Sequence, residues 1–180
     1  LAFDLNKDDS GFEAFASAYP KDSENDKFYS YMAIAALQNG DYNAAISAYD
    51  RIENFDEDER FNDDKANYLR ARELYTSKAF SSCESYFKTA SFYAGKDSDL
   101  SKYSQYLLAS SYYNSEKYKE AADKFISLYN SQTLFPRPEN DLLPYDIAYC
   151  YFSMKDYHPA EKWFQLYAKS DKADSQRKKD

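Results

Sequence analysis

A single histidine, His158, is the first place to look for acid–base chemistry in this chain, and nothing around it completes a site. One His cannot form a two-histidine metal centre, and no Cys/His cluster stands ready to help it. It lies beside Pro159 at the start of a helical segment, where a surface or helix-start role is expected. A nucleophilic triad would need a Ser or Cys on a strained elbow, and no Gly-x-Ser-x-Gly occurs. Three glycines leave no phosphate loop and no dinucleotide fingerprint. Asn6-x-Asp8-x-Ser10-Gly11 echoes a calcium loop, but the carboxylate that must close such a loop falls on Ser17. Carboxylates are numerous enough to supply a glycosidase-type pair, yet no spacing singles one out. Cys83 and Cys150 fall inside helical patterns and read as small buried hydrophobes, with nothing in the sequence to support a disulfide. The expectation is a non-enzyme with no cofactor and no metal. What remains is binding. The 20 Tyr and 13 Phe offer large contact area at low entropic cost.

The elements that must hold these side chains are helices. Of 180 residues 43% are apolar and 19% aromatic, while three Gly and five Pro leave little turn material for an all-β fold. A small residue followed four places on by an aromatic recurs as Ala45…Tyr49, Cys83…Phe87, Ala121…Phe125 and Ala160…Phe164, in steps of 38, 38 and 39. Tyr42, Phe80, Tyr118 and Tyr157 precede each pair, and Ala33, Ala71, Ala109 and Ala148 lie upstream in the same register. A fixed period in this range marks stacked repeats. Helical periodicity predicts first helices over about 26–38, 62–77, 99–115 and 142–154, and second helices over about 42–53, 80–93, 118–130 and 157–169. Short polar turns join the partners, with Gly40 suited to a left-handed helix end. Such turns force the two helices of a pair antiparallel. Phe12 to Tyr19 reads as a lone second helix, and the prolines between Asn130 and Pro144 predict an irregular loop. The acidic cluster from Glu53 to Asp64 reads as a solvated linker and helix start. Lys102 reads as a surface position.

These four units resemble the tetratricopeptide repeat. They run Tyr29-x2-Met32-Ala33…Tyr42-x2-Ala45-x3-Tyr49, Arg70-Ala71-x2-Leu74…Phe80-x2-Cys83-x3-Phe87, Leu108-Ala109-x2-Tyr112…Tyr118-x2-Ala121-x3-Phe125 and Ile147-Ala148-x2-Tyr151…Tyr157-x2-Ala160-x3-Phe164. The departures are a longer period and no proline closing most repeats. Only Tyr19-Pro20 matches that closing signal, in the manner of bacterial cell-envelope repeat proteins. The resemblance implies an all-α fold: a right-handed superhelical stack of antiparallel helix pairs, an α-solenoid of about four repeats plus an extra N-terminal helix. As one domain over 1–180 it divides into a half repeat (1–25), repeats over 26–59, 60–97, 98–135 and 136–172, and a further helix start or tail (173–180). A chain without an initial Met, ending on Arg177-Lys178-Lys179-Asp180, is expected to be part of a longer protein; the resemblance, through Tyr19-Pro20, implies the bacterial cell envelope as its compartment.

In such a stack the first helices line the concave face. Counting from each small alanine, the groove places are Ser30, Ile34 and Leu37; Tyr68, Arg72 and Tyr75; Tyr106, Ser110 and Tyr113; and Tyr145, Tyr149 and Phe152. Tyr68, Arg72, Tyr75, Tyr106, Tyr113, Tyr145, Tyr149 and Phe152 are the expected partner-binding residues. The resemblance implies a protein-interaction scaffold that takes an extended peptide or partner helix. Capture of carbohydrate or nutrient at a cell envelope, and a purely structural spacer, are the alternatives. The carboxylate clamp of chaperone-binding relatives is not reproduced, since Arg72 is the only cation at these places. A net charge of −8 argues against nucleic acid, which needs a basic face. No apolar run is long enough to span a membrane.

Overall fold

A computed structural model describes residues 14, 17–19, 24–93, 99–131 and 138–170. Among the described residues there are eight α-helices and no strand. They are α1 (Glu24–Gln38), α2 (Tyr42–Tyr49), α3 (Glu57–Thr76), α4 (Phe80–Tyr93), α5 (Asp99–Asn114), α6 (Tyr118–Asn130), α7 (Leu143–Ser153) and α8 (Tyr157–Ala168), with a 3-10 turn over Pro138–Leu142. The all-α expectation holds. Ala14, Ser17 and Ala18 are helical. The remainder of the lone N-terminal helix, the calcium-loop echo, the stretch 132–137 and the segment 173–180 lie outside the described residues.

Two helix ends differ from the periodic pattern, and hydrogen bonds explain both. Helix α2 stops at Tyr49 because the Asp26 carboxylate accepts from the backbone N–H of Glu53 (2.9 Å) and of Asn54 (3.1 Å). A continuing helix would have spent those donors on its own carbonyls. Helix α3 starts at Glu57 because Asp56 and Glu59 form a reciprocal capping box: Glu59 N–H donates to Asp56 Oδ1 at 2.7 Å, and Asp56 N–H to Glu59 Oε2 at 3.0 Å. The acidic cluster is therefore largely helical.

Packing divides the chain into two compact units, Leu1–Arg70 and Ala71–Asp180. In the first, α1 packs on α2 around Tyr29, Ala33, Ala45, Ala48, Tyr49, Ile52 and Ala66. In the second, α4 packs on α5, α5 on α6, α6 on α7 and α7 on α8. The eight small positions of the repeat are all buried: Ala33, Ala45, Ala71, Cys83, Ala109, Ala121, Ala148 and Ala160. A side chain no larger than a methyl or thiol lets paired helices approach closely, so nothing bigger fits without displacing a neighbour. The aromatic four places on is buried at Tyr49, Phe87 and Phe125, whereas Phe164 on α8 is only half-buried. Tyr157 departs from its counterparts and is exposed. Lys102 corrects another expectation, since it is 7% exposed rather than a surface residue. It sits on the packed face of α5 with Ser101 and Ser104.

The repeat is also written in the backbone. Gly40, Lys78, Glu116 and Lys155 all have positive φ, between 62° and 78°. Each follows a first helix and carries the same pair of bonds. Glu116 N–H donates to Tyr113 O (3.0 Å) and Lys117 N–H to Tyr112 O (2.9 Å), as Gly40 and Asp41 do to Leu37 and Ala36. This is the Schellman helix end, which consumes carbonyls that would otherwise be orphaned. Only the first repeat uses glycine for it. An L residue held left-handed costs about 1–2 kcal/mol, while glycine costs about 0.5–1 kcal/mol more chain entropy than alanine. Glu116→Gly is therefore expected to raise stability by about 0.5–1 kcal/mol. A urea titration showing no gain would mean that the turn is not strained.

Candidate functional site

Three first-type helices and one second-type helix of the second unit enclose a concavity of about 400 Å³. Tyr75 enters it from the end of α3. Tyr106, Ser110, Tyr113 and Asn114 come from α5, on successive turns of one face. Tyr145, Asp146 and Tyr149 come from α7, and Phe125 closes it from α6. The volume is within the range of ligand pockets.

The side chains are positioned by rings and hydroxyls together. Tyr75 stands edge-on to Phe80 (5.3 Å) and Phe87 (6.3 Å), which lean it against α4. Tyr113 packs edge-on to Tyr118 at 5.3 Å, and its hydroxyl shares a hydrogen bond with Ser153 Oγ at 3.2 Å. Tyr145 and Tyr149 are 4.7 Å apart on one face of α7, and both rest on Phe164 of α8. Tyr106 donates its hydroxyl to Asp146 Oδ2 at 2.9 Å. Asn114 Nδ2 donates to the Ser110 carbonyl at 2.7 Å and to Tyr75 Oη at 3.4 Å. Burial first, and then the Asp146 charge, hold the Tyr106 hydroxyl far above the ordinary phenol range. Burial raises Tyr75 in the same direction. Both phenols therefore stay neutral hydrogen-bonding groups at any physiological pH.

The expected partner-binding residues divide into those the cavity gathers and those it does not. Tyr75, Tyr106, Tyr113, Tyr145 and Tyr149 line it, with Tyr106 itself 9% exposed and the other four half-buried. Tyr68 is buried, Arg72 is exposed on α3, and neither lines the cavity. Phe152 is 51% exposed and lies outside it, but its ring is 6.2 Å from Tyr149 and 5.7 Å from the exposed Tyr157. Aromatic surface thus continues outward from the cavity rim. Of the first-repeat places, Ser30 is buried and Ile34 and Leu37 are half-buried in the first unit. Counting from the small alanines missed Asn114, Asp146 and Phe125. Asn114 and Asp146 are the neighbours in sequence of Tyr113 and Tyr145, where the face widens. Phe125 is the aromatic of the Ala121…Phe125 pair on a second helix, so a count along the first helices does not reach it.

A second cluster of polar groups lies in the first unit and was hidden by its own composition. Asp64 is fully buried, and neither carboxylate oxygen has a hydrogen-bond partner. The Tyr49 hydroxyl is likewise buried without a partner. Burial, followed by the Asp63 charge, pushes Asp64 up to about 7, with Arg60 opposing. Asp63 is pushed up to about 6 by burial and then by Asp50, against a hydrogen bond from Asn67. Burial also pushes Tyr49 up to about 12, with Asp63 and Glu59 adding to it. The expectation of a solvated cluster fails at Asp64, because the helical face that carries it turns inward with Ala66 and Asn67.

Among the described residues no group of three or more His, Cys, Asp or Glu could hold a metal ion, and His158 is exposed. Cys83 and Cys150 are free and buried. Cys83 Sγ lies 3.1 Å from Ser111 Oγ, and burial pushes the Cys150 thiol up to about 12, the opposite of an activated nucleophile. No described helix is long and apolar enough to cross a membrane. No protein-family model matches this sequence, and no curated protein matches it with significance.

Proposed function

We propose that this chain is a tetratricopeptide-like repeat protein that binds an extended peptide or partner helix, without catalysis, on the face presented by its first-type helices. One observation carries the reading: tyrosines on the same face of three successive first helices, Tyr75, Tyr106 with Tyr113, and Tyr145 with Tyr149, open onto one cavity. Rings used only as packing would be sealed by their neighbours. Four of these five keep part of their surface open to solvent. The rings continue through Phe152 to Tyr157, which supplies an aromatic track beyond the cavity itself. Partly exposed, contiguous aromatic surface is characteristic of interaction sites. The overall negative charge sets nucleic acid aside as the partner.

The test is selection of binders to the full chain from an unbiased display library of short peptides, in parallel with a glycan array. Tyr113→Ala and Tyr149→Ala should each weaken a selected peptide by about 1–2 kcal/mol, the scale of moderate interface anchors. Both are half-buried, so they perturb folding less than the buried Tyr106 would. Phe92→Ala, at a 76% exposed ring on α4, serves as control and should leave affinity unchanged. Binding confined to glycans, or indifferent to both tyrosines, would contradict the reading.

A further inference from the structure

Two groups in the wall of the cavity hold hydrogen-bonding capacity that the fold does not use. The first is Asn114, exposed at the last position of α5. Its Nδ2 donates to the Ser110 carbonyl at 2.7 Å and to Tyr75 Oη at 3.4 Å, which engages both amide protons. A carboxamide is planar, so the same two bonds fix Oδ1. The opposite flip would set Oδ1 against the Ser110 carbonyl oxygen, where two acceptors repel. Among the described residues Oδ1 has no donor. The second group is the Tyr149 hydroxyl. Its ring is held 4.7 Å from Tyr145 and 5.3 Å from Phe164, yet the hydroxyl has no partner among the described residues. The neighbouring phenols differ in this respect. Tyr106 donates to Asp146, Tyr113 pairs with Ser153, and Tyr75 accepts from Asn114.

We infer that Asn114 Oδ1 accepts a main-chain N–H of the bound peptide and that the Tyr149 hydroxyl donates to a main-chain carbonyl. The inference rests on the peptide-binding reading above and names how that site holds its partner. An acceptor on α5 and a donor on α7 together complement the one N–H and one C=O that each residue of an extended chain presents. Both groups are ordered before the peptide arrives, Asn114 by its two bonds and Tyr149 by its ring neighbours, so little entropy is lost in using them. Both are also neutral, which suits a peptide group better than a charged side chain. The rings supply contact area, and these two atoms set the register of the backbone against it.

The probe is the tightest capped short peptide from the display selection, made with each backbone amide replaced in turn by an ester. That exchange removes one N–H and leaves every side chain in place. One ester position should lose about tenfold or more in affinity for the full chain, as expected when a fixed acceptor is left facing another oxygen. In Asn114→Leu the same ester should cost no more than about twofold, because the bond it breaks is already absent. A general loosening of the cavity would weaken every ester alike and would not erase the cost at one position. Tyr149→Phe, which keeps the ring, should weaken the all-amide peptide about fivefold or more. The inference falls if no ester position stands out, if the sensitive position stays sensitive in Asn114→Leu, or if Tyr149→Phe binds as tightly as the unaltered chain. In each of those cases a peptide still weakened by Tyr113→Ala keeps the peptide reading. A selection that yields no peptide removes both.

Discussion

Phe87→Ala is expected to cost about 3–5 kcal/mol, a large share of the 5–15 kcal/mol that holds a typical domain folded. Phe87 is fully buried on α4, where its ring meets Tyr75 edge-on, and truncation leaves a void that neighbouring helices cannot fill. The same substitution at the matching place of the last repeat, Phe164→Ala, should cost about half as much or less. Phe164 is only half-buried, so less apolar surface returns to water. Urea denaturation of the two variants measures the difference directly. If they unfold at the same midpoint, the burial gradient along the repeat is not what stabilises the second unit.

Asp64→Asn should act in the opposite direction, raising stability by about 1–3 kcal/mol at pH 8, because a buried carboxylate with no hydrogen bond pays desolvation without compensation. The sign of its pH dependence follows from the raised values. The ordinary value of 3.8 becomes about 7 for Asp64 and about 6 for Asp63 in the folded chain. Between pH 4 and 7 the folded state therefore holds more protons than the unfolded state. The stabilisation from this pair is complete below pH 3.8 and is lost as pH rises through about 7. The gain from Asp64→Asn should accordingly be large at pH 8 and much smaller at pH 5. The charged and titratable groups that act on the pair are Arg60, Asp50 and Tyr49. A gain of equal size at both pH values would show that Asp64 does not titrate in this window.

How far the fold can be read from residues alone depends on which interactions fix each part. The helices were legible because the small-to-aromatic spacing and the alanine register recur together, and close helix packing tolerates little else at those places. All eight small positions are buried accordingly. The end of α2 was not legible, since it is set by Asp26, whose carboxylate reaches backbone donors 27 and 28 residues away. The start of α3 could have been found, because Asp56-x-x-Glu59 is a capping box in plain view. The left-handed turns at Lys78, Glu116 and Lys155 carry no glycine to announce them. Only their register with Gly40 does so.

The candidate site divides in the same way. Counting from each alanine placed Tyr75, Tyr106, Tyr113, Tyr145 and Tyr149 on one face, since helical geometry alone decides that. The rule failed for Tyr68, which is buried, and for Arg72, which does not reach the cavity. It also had no means of finding Asp146. Its place in the site comes from a hydroxyl donor, Tyr106, 40 residues away in sequence, a relation that appears only once α5 and α7 are brought together. Asp64 was concealed for a related reason. A carboxylate among many reads as solvated, and only tertiary packing shows which of them turns inward.

A partner seated in the tyrosine cavity of the second unit leaves a footprint that nuclear magnetic resonance can read, with a library-selected peptide titrated into the full chain and the aromatic ring resonances assigned. Tyr75, Tyr113, Tyr145 and Tyr149 should shift together and saturate at one peptide concentration, with Phe152 and Tyr157 following as the flank of the same surface. Shifts confined to exposed rings elsewhere, such as Tyr31, Phe61 or Phe92, with the cavity tyrosines unmoved, would contradict it.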